Sequence, residues 1–95
     1  MAPDREVEID VGSVESTADL HRTLQQALGF PDWYGGNWDA FWDAITGLVR
    51  MPRTLKLAGW SSFQQRFPRD AQQLRRALAD MAAEYPKQAP RVVYA

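Results

Sequence analysis

Three short strand-like stretches, kept apart by long helical ones, constrain this chain more than any other feature. In residues 5–11, Val7, Ile9 and Val11 alternate with Glu6, Glu8 and Asp10. That period of two predicts a strand with one wet face, at or near a sheet edge. Thr54, Leu55, Lys56 and Leu57 form a second stretch, closed by Gly59, and Val92, Val93 and Tyr94 form a third. Residues 12–53 and 58–90 lie between them, far too much chain for hairpins. Strands joined by helical crossovers pair in parallel, and such crossovers are right-handed. The expected fold class is therefore α/β: a small three-stranded parallel sheet with about four helices packed on it, in the order β-α-α-β-α-α-β. The acidic side of the first strand leaves one sheet face in water, which is unusual for a parallel sheet.

The helices announce themselves by spacing and caps. Ser16 or Thr17 caps the first, with Asp19 in its first turn; Leu20, Leu24, Ala27 and Leu28 recur at helical spacing, and Gly29 stops it. Residues 30–37, Phe-Pro-Asp-Trp-Tyr-Gly-Gly-Asn, read as a loop ending on Asn37, a good N-cap. The second helix is expected from about Trp38 to Val49, with Gly47 leaving its last turn frayed or tightened to 3₁₀. Residues 60–67 are ambiguous and fit one or two helical turns from Ser61 or Ser62. Asp70 is the expected cap of the last helix, with Gln73 completing a capping box. Its apolar stripe is Ala71, Leu74, Ala77, Leu78, Met81 and Ala82, and Pro86 marks its end.

The second helix carries the functional signal. Indexed at 100° per residue, Trp38, Phe41, Ile45, Leu48 and Val49 share one side, and Asp39, Asp43, Thr46 and Arg50 another. Trp42 lies at the seam. Asp39 and Asp43 are like charges one turn apart, which destabilises an isolated helix by a few tenths of a kcal/mol. The helix N-terminus offsets this more for Asp39 than for Asp43. A partner with cations at the right spacing would offset the rest. Trp33 and Tyr34 stand beside this ridge in a loop with Gly35 and Gly36, and aromatic residues around a central charge make a hot-spot composition.

Composition narrows the alternatives. The 95 residues suit one domain, 1–95, and no Cys is present to form a disulfide, a thiolate nucleophile or a Cys-ligated zinc site. No metal or cofactor is expected, and no run is apolar enough to span a membrane. The acidic start, with Asp4, Glu6, Glu8 and Asp10, is the wrong chemistry for a secretory signal, so a cytoplasmic protein is expected. A formal charge of −1 argues against a general nucleic-acid binder. His21, the one histidine, reads as a residue at the flank of the first helix rather than a catalyst.

The stretch Trp33-Tyr-Gly-Gly-Asn-Trp-Asp-Ala-Phe-Trp-Asp-Ala-Ile-Thr-Gly47 resembles the barstar family: an aromatic pair, Gly, any residue, Asn, apolar, Asp-Ala, apolar, Trp-Asp, two residues, Thr-Gly. Upstream, Asp19-Leu20-His21-x-Thr23-Leu24 and the element order also match. The resemblance implies a bacterial protein that is not an enzyme but an immunity-type inhibitor of a secreted or toxin-borne ribonuclease, monomeric when free. It implies that the loop and the acidic helix plug the enzyme's cationic active site. Asp43 would be the main anchor in place of a substrate phosphate, and Asp39 would pair with a second basic group. Trp33, Tyr34, Gly35, Trp42, Thr46 and Gly47 would make flanking contacts, with Asp80 on the last helix a further acidic contact. The resemblance also implies a cis Met51–Pro52 bond. Arg50 stands where the family often has an acid, and Leu48 where its best-known member has an indole.

Two other readings fit the residues. A pair of carboxylates is a glycosidase or metal-site ingredient, although so short a chain offers little cleft. The cluster Arg66, Arg69, Arg75 and Arg76 with Trp60 would suit a small RNA-binding module, or another protein-interaction module without ribonuclease inhibition.

Overall fold

A computed structural model describes residues 5–95. The elements are β1 (Glu6–Asp10), α1 (Thr17–Leu28), α2 (Trp38–Asp43), a π-helical turn (Ala44–Leu48), β2 (Thr54–Ala58), α3 (Trp60–Arg66), α4 (Pro68–Glu84) and β3 (Arg91–Tyr94). The three strands form one parallel sheet with β2 in the middle. Glu8 pairs with Lys56 and Lys56 with Val93, while Ile9 pairs with Leu57 and Leu57 with Tyr94. The alternation in β1 thus continues across the sheet. Ile9, Leu55 and Leu57 are buried on the helical side, and Glu6, Glu8 and Asp10 stay exposed on the other. The element order, the parallel pairing, the edge position of β1 and its wet face are those the sequence predicts.

Local chemistry explains the ends of the elements. Ser16 Oγ accepts the Asp19 amide at 3.0 Å and caps α1, and Gly29 ends it in the left-handed region at φ 76°. Leu20, Leu24 and Leu28 bury the apolar stripe of α1. Gly59, at φ 73°, begins α3 directly after β2; a Cβ there would lie 2.7 Å from Gly12 Cα, so the close approach of the two strand ends requires glycine. The helix after β2 therefore starts at Trp60, earlier than Ser61 or Ser62. Trp60 and Phe63 are its buried face.

Four local expectations are corrected. The turn after α2 widens instead of tightening: the Val49 amide donates to the Ala44 carbonyl five residues back. A residue advances less around the axis in a π turn than in an α turn, so Leu48 rotates out of the apolar stripe and is 44% exposed. Asp70 does not cap α4. The helix begins at Pro68, whose ring pre-sets the helical φ, and among the described residues no side chain caps it. Ala82 lies outside the buried stripe, which is Ala71, Leu74, Leu78 and Met81. No cis peptide bond occurs among the described residues, so Met51–Pro52 is trans. Pro52 stands just before β2, where the ladder needs no amide from it: Arg53 N donates to Arg5 O at 2.9 Å.

Candidate functional site

The acidic ridge is built by a short, well-capped helix. Asn37 Oδ1 accepts the Ala40 amide at 2.7 Å, fixing the first turn of α2. Phe41 is fully buried and Ala44 and Ile45 sit beneath it, so the opposite face must point outward. Asp39 and Asp43 are both exposed on that face. One helical turn sets their backbones about 6 Å apart. Among the described residues the ion pairs are Arg22–Asp19 at 3.4 Å and Arg76–Asp80 at 4.0 Å, so none of these residues neutralises either ridge carboxylate.

The two indoles of α2 have different jobs. Trp38 is half-buried, and its Nε1 donates to Asp70 Oδ1 at 3.1 Å. The other oxygen of Asp70 accepts from Thr17 Oγ1 at 2.6 Å. One carboxylate therefore ties the starts of α1 and α4 to the start of α2. Trp42 is half-buried at the seam, 6.4 Å between ring centroids from Tyr85 just past the end of α4. Thr46 Oγ1 donates to the Trp42 carbonyl at 2.7 Å, supporting the backbone where the π turn begins.

The loop before α2 is anchored by one aromatic and displays the other. Tyr34 packs at 4.8 Å from Phe30, and its hydroxyl lies 2.7 Å from His21 Nδ1. Burial raises the Tyr34 phenol above its ordinary value. His21 is buried, not at the helix flank, and its ring sits 4.6 Å from Trp38. Burial lowers its pKa, and the charge of Asp70 opposes that shift. Trp33 is 72% exposed beside Gly35 and Gly36. Sequence reasoning thus finds the displayed groups but misses the supports, His21 and Asp70. The available signal was that His21 lies one residue after Leu20 in the buried stripe.

Of the predicted residues, Trp33, Tyr34, Gly35, Asp39, Trp42, Asp43, Thr46 and Gly47 come from one loop, helix and turn. Asp80 lies on α4, exposed beside Arg76. It stands about 80° around that helix from Asp70, on the side away from Arg75. The basic cluster disperses. Arg66 donates to the Gly12 carbonyl at 2.9 Å, and Arg75 lies 4.1 Å over the Tyr94 ring and 5.4 Å over Trp60. Trp60 is 6% exposed and offers no face for a base to stack on. Among the described residues no helix is long and apolar enough to cross a membrane.

The family model described as Barstar (barnase inhibitor) matches residues 5–95. A protein of Bacillus subtilis (strain 168), named "Putative ribonuclease inhibitor YrdF", is 47% identical over 53 residues. That stretch is 56% of this chain and 58% of the relative, so the match spans little more than half of either.

Proposed function

The chain belongs to the barstar family, and from that premise we propose that it inhibits a barnase-type microbial ribonuclease by laying the acidic ridge of α2 into the enzyme's cationic cleft. The observation that carries this reading is the pair Asp39 and Asp43, exposed and unneutralised among the described residues, in the same loop-and-helix segment as the exposed Trp33 and the half-buried Trp42. In such a cleft the carboxylates occupy positions meant for substrate phosphates. Charge-assisted hydrogen bonds to Arg are strong once water is excluded, and the indoles exclude it. Asp43 is the main anchor, Asp39 pairs with a second cation, and Tyr34, Gly35, Thr46, Gly47 and Asp80 complete the contact. The family description names inhibition of barnase. In this reading the chain works as a monomer in the bacterial cytoplasm, protecting the cell from its own or a neighbour's nuclease.

The RNA-binding alternative has less support, because Trp60 is buried and Arg66 and Arg75 are engaged within the fold. The test is cleavage of RNA by a panel of secreted barnase-type ribonucleases, barnase included, titrated with the purified chain. Stoichiometric inhibition of at least one is expected. Full cleavage by all of them at large excess of the chain contradicts the reading.

A further inference from the structure

The widened turn after α2 lines a groove beside the ridge, whose cations the acidic mechanism does not use. It is a half-open groove of about 800 Å³, with Ile45, Met51 and Met81 at its floor and Arg50, Arg53 and Lys87 among its walls. The three floor side chains are buried, and the three cations are exposed. Among the described residues none of these cations has a side-chain hydrogen bond or an ion pair. Thr46 and Gly47 line the same groove, so it is continuous with the proposed inhibitory face. Leu48 adds an exposed apolar side chain to its wall.

The face therefore has two poles of opposite sign. Asp39 and Asp43 form the negative one. Arg50, Arg53 and Lys87 form the positive one, over an apolar floor that a bare anion would not fill. We propose that this groove receives a protruding loop of the ribonuclease that carries carboxylates and at least one apolar side chain, a contact that rests on the inhibitory reading and selects which ribonuclease is bound. Opposite poles fix the orientation of the partner, because turning it round would bring like charges together. A ribonuclease with a cationic cleft but no acidic loop beside it would leave the three cations facing its surface unpaired.

The experiment measures association and dissociation rates against the tightest-bound ribonuclease of the panel, in low salt and in about 0.5 M salt, where long-range attraction is screened. Three variants are compared, each shown by melting to be folded: Asp43→Asn; the triple Arg50→Glu, Arg53→Glu, Lys87→Glu; and Gln88→Trp, which fills the groove without changing its charge. The triple variant and Gln88→Trp are each expected to dissociate at least tenfold faster, and to do so in high salt as well. If both bind like the parent while Asp43→Asn fails, the groove proposal falls and the inhibitory reading stands. A triple-variant effect confined to association and abolished by salt also overturns it. A parent chain that binds no ribonuclease overturns both readings.

Discussion

His21 Nδ1 and the Tyr34 hydroxyl lie 2.7 Å apart, and through them α1 holds the loop that displays Trp33. The other ring nitrogen of His21, Nε2, is buried without a partner among the described residues. A protonated ring carries an N–H on both nitrogens, so the charged form would be a buried cation whose Nε2–H has no partner among the described residues. Burial already holds the pKa of His21 below 6.5.

That depression fixes a sign. The unfolded chain takes up a proton near pH 6.5 while the folded chain resists it, so stability from this site is intact above about pH 6.5 and is lost as pH falls toward the lower folded value. Urea melts between about pH 7.5 and pH 5 should show falling stability. His21→Gln, which keeps a hydrogen-bonding group near Tyr34, should flatten that dependence. Equal slopes for parent and variant would assign the acid loss to carboxylates instead.

Stability and binding should separate on α2. Phe41 is fully buried, so Phe41→Ala removes packing and leaves a cavity, a loss of about 3–5 kcal/mol. Asp43 is exposed and has a like-charge neighbour one turn away, so Asp43→Ala should change stability by no more than about 0.5 kcal/mol. Thermal melts that found Asp43→Ala the weaker protein would reverse the assignment of the two faces.

Asp70 should matter for the fold although it touches no proposed partner. Asp70→Ala removes the acceptor of both Trp38 Nε1 and Thr17 Oγ1 and should destabilise by about 1–3 kcal/mol. Asp70→Asn can still accept from Trp38 and should lose less. The check is denaturant unfolding of both variants, and an Asp70→Ala protein as stable as the parent would show that the two hydrogen bonds contribute nothing net.

The sequence made the sheet legible because its signals are local. The alternation of Val7, Ile9 and Val11, the Ser16 cap and the Gly29 stop each act over a few residues, and the structure follows them. The acidic ridge was legible for the same reason, since one turn of helix relates Asp39 to Asp43. What escaped was set by contacts distant in sequence. Asp70 looks like a helix cap until Thr17 and Trp38 are brought to it from elsewhere in the chain. His21 looks like a flank residue until the loop folds Tyr34 over it. Leu48 looks like core because helical indexing assumes a constant turn, and the π turn at Ala44–Leu48 breaks that assumption. The trans Met51–Pro52 bond differs from the expectation drawn from the family, and no residue spacing could have decided it.

The central claim is that the carboxylates of α2 are what the ribonuclease binds. Its most direct test is inhibition of a panel ribonuclease by the Asp39→Ala, Asp43→Ala double variant, with Glu6→Gln on the wet face of the sheet as control and a melt to confirm that each is folded. The account predicts that Asp43→Ala alone weakens binding by at least about 2–5 kcal/mol, mainly through faster dissociation, because the enzyme's cations are left buried and unpaired. It predicts that the double variant no longer inhibits at concentrations where the parent is saturating, and that Glu6→Gln binds within about 0.5 kcal/mol of the parent. Full inhibition by a folded double variant would contradict it.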